Sequence, residues 1–209
     1  MKFNNYYFLL RHGEALLNKK GIVCCWPEKI RCPLTRKGKE QVKNQAEKIK
    51  DKKIDLIFSS DLLRTRQTAE IVGEELGLKP KYDKRLREFN LGIFNGRPLE
   101  EANQFFGKII KKFKIRAPKA ENYTDLKKRM YDFLKDIDNK YSGKKILIIS
   151  HEAPLTMLVG AIRGFSNQEI LKYRERLKLK LAEFRRLRLK NGSCLAKLSN
   201  TKQYKQYKQ

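Results

Sequence analysis

The chain has 209 residues, 40% of them hydrophobic, enough for a buried core in one α/β domain. No run of about 18 apolar residues could span a bilayer; the apolar stretch 6–10 is too short for a signal-peptide core and stops at Arg11, so a cytoplasmic protein with no membrane partner is expected. Lys and Arg number 49 against 23 Asp and Glu, a net charge of +26. The basic residues are spread along the whole chain, so the excess reads as a bias of composition, and no specific nucleic-acid partner is expected. Cys24, Cys25, Cys32 and Cys194 contain no C-x-x-C pair and only two histidines accompany them, so free thiols and no metal are expected.

The first element is the continuous apolar run 6–10, the pattern of a strand buried on both faces of a parallel sheet. After Thr35, the apolar residues Val42, Ala46 and Ile49 recur at helical spacing. The run 55–58 is a second buried strand, followed by a helix from near Asp61 to Leu76, where Gly77 can end it. Leu99, Ala102, Phe105, Phe106, Ile109, Ile110 and Phe113 form an apolar stripe read as a helical insertion near 99–118. Leu126, Met130, Phe133, Leu134, Ile137 and Tyr141 form the next, with Thr124 as a plausible cap. The run 145–149 is a third buried strand. Phe184, Leu187 and Leu189, then Cys194, Ala196 and Leu198, flank Asn191-Gly192, a strong hairpin signal. Strands alternating with helices predict an open, mostly parallel α/β sheet with helices on both faces. One domain over 1–199 is expected, followed by a polar tail, 200–209, expected to be frayed.

The histidines sharpen the reading. His12 and His151 each fall one or two residues past a buried strand, the edge of an open α/β sheet at which ligands bind. The strand ending at Phe58 leads into Ser59-Ser60-Asp61-Leu62-Leu63-Arg64. Three strand ends could therefore bring together His12, His151, Arg11 and Arg64. Satisfied core or surface histidines have no reason to share that placement, whereas two imidazoles between two guanidiniums suit a phosphoryl group, whose oxygens arginine grips in bidentate fashion.

Arg11-His12-Gly13-Glu14 with Asn18 resembles the R-H-G-E-x-x-x-N signature of the histidine phosphatase superfamily, which includes the cofactor-dependent phosphoglycerate mutases and their phosphatase relatives. Leu34-Thr35 with Gly38 and Gln41, and Ser59-Ser60-Asp61-Leu62 with Arg64, Thr68 and Ala69, resemble its next two segments. Leu86-Arg87-Glu88 with Gly92 and Asn95-Gly96 resembles its acidic loop, and Ser150-His151 its second histidine motif. The resemblance implies that His12 attacks phosphorus and becomes phosphohistidine. It further implies that Arg11, Arg64 and His151 hold the phosphoryl oxygens, that Asn18 helps line the pocket, and that Glu88 is the general acid. Chemistry adds that His12 must be neutral, its second nitrogen donating to a carbonyl in the 12–14 turn. Glu88 should have a raised pKa, and His151 would preferably be protonated.

Two departures stand out. Glu152 occupies the position after the second histidine where the family usually has glycine; its N–H could face the phosphate with the side chain turned away, the favoured reading, or its carboxylate could select a cationic part of the substrate. In the segment 24–33 the usual acidic residue shortly before the Leu-Thr pair is absent, and Arg31 and Cys32 stand there. The residues around Glu88, Arg87-Glu88-Phe89-Asn90-Leu91-Gly92, resemble the phosphatase branch and lack the H-Y-G run of mutases. The expectation is therefore a metal-independent phosphomonoester hydrolase, without a cofactor, acting on a small phosphorylated metabolite. A phosphoglycerate mutase is the alternative, and a basic nucleic-acid-binding module with an idle site stands third. Neither the substrate nor the oligomeric state is legible.

Overall fold

The structure, a computed structural model, describes residues 3–187. Its sheet has five strands: β1 (Tyr6–Arg11), β2 (Leu56–Ser59), β3 (Lys81–Tyr82), β4 (Lys145–Ser150) and β5 (Phe184–Arg186), in the order β3-β2-β4-β1-β5. β1, β4, β2 and β3 run parallel and β5 pairs antiparallel to β1. β1 and β4 are in register from Tyr6 opposite Lys145 to Arg11 opposite Ser150, so His12 and His151 leave the sheet side by side.

Alternation along these strands feeds two cores. Tyr7, Leu9, Phe58, Ile146 and Ile148 pack on one face against α5 (Tyr123–Lys140) and α6 (Glu152–Ile162). Phe8, Leu10, Ile57, Leu147 and Ile149 face the other way, toward α2 (Arg36–Ile49) and α3 (Leu63–Leu76). The expected sheet, with helices on both faces, is thus present. The remaining helices are α1 (Leu16–Lys19), α4 (Leu99–Phe106), α7 (Asn167–Lys172) and α8 (Arg174–Leu177).

Local chemistry moved several boundaries. α3 starts at Leu63 because the Asp61 carboxylate is held in a fork by Arg87, with contacts of 2.7 and 2.6 Å; the Leu63 N–H instead donates to Glu28 Oε2. Gly77 ends the helix in the left-handed conformation, as expected. The cap of α5 is Asn122, not Thr124: Asn122 and Asp125 form a reciprocal capping box, while the Thr124 hydroxyl donates to Phe113 O. The insertion is broken at Gly107, with φ 58°, into α4 and a 3-10 turn Ile109–Phe113. Of the expected stripe, Leu99, Phe105 and Ile110 are exposed while Ala102, Phe106 and Phe113 are buried. β5, where the first arm of a C-terminal hairpin was expected, pairs with β1, and the Leu187 N–H donates to Tyr7 O. Asn191-Gly192, the returning arm, Cys194 and the tail 200–209 lie outside the described residues. Cys24, Cys25 and Cys32 are free and buried. Among the described residues no helix is long and apolar enough to cross a membrane.

Candidate active site

The loop after β1 is built by backbone proximity. A Cβ on Gly13 would sit 2.4 Å from Gly38 O, and one on Gly38 would sit 2.0 Å from Glu14 O, so only glycine lets this loop lie on the start of α2. Thr35 caps α2 by accepting from Gly38 N, and its hydroxyl donates to Glu14 Oε1 at 2.8 Å. Gln41 Oε1 accepts from Glu14 N. The Leu34-Thr35…Gly38…Gln41 segment is therefore a clamp on the histidine loop.

His12 is 1% exposed, and its Nδ1 lies 2.7 Å from Gly13 O. A carbonyl can only accept, so Nδ1 carries the proton and Nε2 bears the lone pair, as expected from the chemistry. Arg64 Nε donates toward that lone pair at 3.3 Å. The Arg64 guanidinium, 1% exposed, is aimed by Cys24 O at 3.0 Å from Nη2 and Cys24 Sγ at 3.3 Å from Nη1, with Glu28 Oε1 at 3.9 Å. Glu28 thus supplies a carboxylate from the segment in which none stands just before Leu34.

His151 is fully buried, its ring centroid 5.2 Å from that of His12. Its Nε2 is 3.0 Å from Ser60 Oγ, while Nδ1 is buried, has no hydrogen-bond partner among the described residues and lies 4.0 Å from Glu88 Oε2. His151 also caps α6, whose first N–H groups lack intrahelical partners and form the positive end of the helix dipole. Glu88 is carried on a loop fixed from several sides. Ser150 Oγ donates to Leu86 O, Trp26 Nε1 and Arg129 Nη2 donate to Glu88 O, and Arg129 is itself paired with Glu121 at 2.7 Å.

Arg11 Nη1 donates to Leu179 O at 2.9 Å and forms an ion pair with Glu152 Oε2 at 2.9 Å, whereas Arg11 Nε is buried and has no hydrogen-bond partner among the described residues. The Glu152 carboxylate lies between three cations, Arg11 at 2.9 Å, Arg174 at 3.1 Å and Lys178 at 4.0 Å. Asn18 lies in α1, and its side chain is outside the described residues.

Burial, then the charges of Arg64 and Arg11, lowers the His12 pKa well below the ordinary imidazole value. Burial, then Arg64, does the same to His151. Both shifts favour neutral rings in the free site, against the expectation of a protonated His151, and leave Arg11 and Arg64 as the fixed cations. Burial raises the Glu88 carboxyl despite the opposing pull of Arg64. Among the described residues no group of three or more His, Cys, Asp or Glu is placed to hold a metal ion.

The family model of the histidine phosphatase superfamily, branch 1, matches residues 7–202. The chain belongs to this superfamily. A Yersinia pestis relative described as "Probable phosphoglycerate mutase GpmB" is 33% identical over 162 residues, covering 75% of this chain and 74% of that protein. The alpha-ribazole phosphatase from Shigella flexneri superposes with a TM-score of 0.73 at 22% identity, covering 90% of this chain and 96% of the other. Mycobacterial glucosyl-3-phosphoglycerate phosphatase does so at 0.70 and 21%, covering 86% and 87%. At these identities the two structures attest the histidine phosphatase fold.

Within that superfamily frame, sequence reasoning brought His12, His151, Arg64, Arg11 and Glu88 together. It missed Ser60, Trp26, Arg129 and Arg174 as their supports. Ser60 and Asp61 lay inside a motif already singled out; Arg129 is 41 residues from Glu88, and no local pattern links the two.

Proposed function

We propose that the chain is a phosphomonoester hydrolase working through phosphohistidine at His12, with no metal or organic cofactor. The observation that carries the reading is the His12 ring, its proton held by Gly13 O and its Nε2 lone pair set against the Arg64 guanidinium. On binding, a phosphoryl oxygen takes over the Arg64 N–H, freeing Nε2 to attack. The Nε2–P bond forms as the P–O ester bond breaks, and the Glu88 carboxyl gives its proton to the departing alkoxide. Glu88, now a carboxylate, takes a proton from water, whose oxygen attacks phosphorus; the Nε2–P bond breaks and inorganic phosphate leaves. Charge on the equatorial oxygens falls to Arg11, Arg64 and the start of α6, so positioning and fixed charge supply the catalysis. Neutral His151 contributes an N–H from Nδ1 when the Ser60 hydroxyl donates to Nε2, and a dianionic phosphate beside it favours its protonation.

A phosphoglycerate mutase is the second reading, favoured by the 33% identity to the Yersinia relative. The Arg87-Glu88-Phe89-Asn90-Leu91-Gly92 segment, similar to the phosphatase branch, favours hydrolysis. The test is a panel of phosphorylated metabolites and an aryl phosphate assayed with a chelator present, beside 3-phosphoglycerate with catalytic 2,3-bisphosphoglycerate. Free phosphate undiminished by chelation, with little 2-phosphoglycerate, is the expected result. Efficient mutase turnover without phosphate release, or activity lost to chelation and restored by Mg²⁺ or Zn²⁺, would overturn it.

A further inference from the structure

Glu152 places a carboxylate beside a site built for an anion, an arrangement that costs phosphate affinity unless the carboxylate serves the cations around it. Both of its oxygens are engaged: Oε2 with Arg11 Nη1 at 2.9 Å, and Oε1 with Arg174 Nη2 at 3.1 Å. Arg11 Nη1 is held again by Leu179 O at 2.9 Å, so one corner of the guanidinium is fixed at two points. The remaining edge, Nε–H with Nη2–H, is the fork that grips a phosphate or carboxylate in bidentate fashion. That edge makes no hydrogen bond among the described residues, and its Nε is buried. A planar guanidinium fastened at Nη1 has little freedom to turn the fork away from the pocket.

We propose that Glu152 is a positioning residue that fixes Arg11 with its free fork toward the phosphoryl group, and that Arg174 positions Glu152 in turn. The chain of contacts runs from α8 through the first residue of α6 to the last residue of β1, joining the segment after the second histidine to the site. Arg174 and Lys178 offset the Glu152 charge, so the brace does not repel the bound anion. The inference rests on the phosphatase reading for what Arg11 grips.

The test compares wild type, Glu152→Ala, Glu152→Gln and Arg174→Ala by calorimetric binding of inorganic phosphate and by kcat and KM for an aryl phosphate. Loose placement of a catalytic group costs up to about 100-fold. Glu152→Ala is therefore expected to lower kcat/KM by about 10- to 100-fold, with most of the loss in kcat, and to weaken phosphate binding. Glu152→Gln keeps an oxygen acceptor for Arg11 Nη1 and should recover much of the loss. Arg174→Ala should cost less than Glu152→Ala and nothing further when added to it. In an Arg11→Ala background Glu152→Ala should have no effect on phosphate binding. Tighter phosphate binding by Glu152→Ala, or an undiminished loss in the Arg11→Ala background, would overturn the proposal. Phosphate binding is read without turnover, so a chain that binds phosphate but hydrolyses no ester counts against the phosphatase reading, and the Glu152→Ala comparison still decides the brace.

Discussion

Arg64→Met removes the guanidinium closest to the proposed nucleophile while keeping an unbranched side chain of similar reach. Arg64 is buried, donates toward His12 Nε2 and is aimed by two contacts to Cys24. In the transition state its donors pass to equatorial phosphoryl oxygens. Two charge-assisted bonds at about 1.5–3 kcal/mol each amount to about 3–6 kcal/mol. At about 1.4 kcal/mol per decade, kcat/KM should fall by roughly 10² to 10⁴. A second effect follows from the same charge. The His12 pKa is lowered first by burial and then by Arg64, so without Arg64 it rises toward its ordinary value and His12 protonates at higher pH. The acid limb of the pH profile should therefore move upward. The assay is kcat/KM for an aryl phosphate across the acid range in both proteins. Activity within a factor of a few of wild type, or an acid limb that does not move, would refute the placement of Arg64 between nucleophile and phosphate.

Glu88→Gln should slow hydrolysis of alkyl esters by about 10²- to 10⁴-fold, but of nitrophenyl phosphate far less, because a weakly basic leaving group gains little from an acid; equal losses in kcat/KM would remove Glu88 from that role. Burial raises the Glu88 pKa, so wild-type kcat/KM for alkyl esters should fall as pH rises through it, and this alkaline limb should be absent in Glu88→Gln. Stability should carry the histidines' signature. Their folded pKa values lie below the unfolded 6.5, so below that pH the unfolded chain binds protons the folded chain refuses. Stability should then fall on acidification by about 1.4 kcal/mol per pH unit for each ring. Glu88 acts with the opposite sign between its ordinary 4.5 and its raised value. Denaturant titrations of wild type and His151→Gln should show one proton's slope less in the variant; identical slopes would contradict the neutral, buried ring.

The parts of the fold legible in sequence were those with a local pattern. β1 and β4 are apolar between their ends because they are buried on both faces, and α2 and α5 carry one apolar stripe each. α6 was not visible as a helix: its residues from Pro154 to Ile162 are all buried, so no polar face marks the helical period. β3 has two exposed residues at the sheet edge and no alternation to read. In the site, His12 and His151 could be placed because each follows a strand, and the His12 tautomer followed from chemistry. The partner of Glu152 could not be read, because Arg174 is 22 residues away and the contact depends on how α8 returns to the start of α6. The surroundings of His151 could not be read for a related reason: its complete burial beside Arg64, which lowers its pKa in the free site, leaves no local sequence pattern.

The proposed reaction turns on covalent capture of phosphorus by one imidazole nitrogen. It is tested most directly by mixing the enzyme briefly with a ³²P-labelled phosphomonoester, quenching in alkali and mapping the label by peptide digestion. Label is expected on His12, stable in alkali and lost in acid, absent in His12→Ala, and longer-lived in Glu88→Gln when a nitrophenyl ester loads the enzyme. Label on a serine or cysteine, or phosphate release undiminished in His12→Ala, would contradict it.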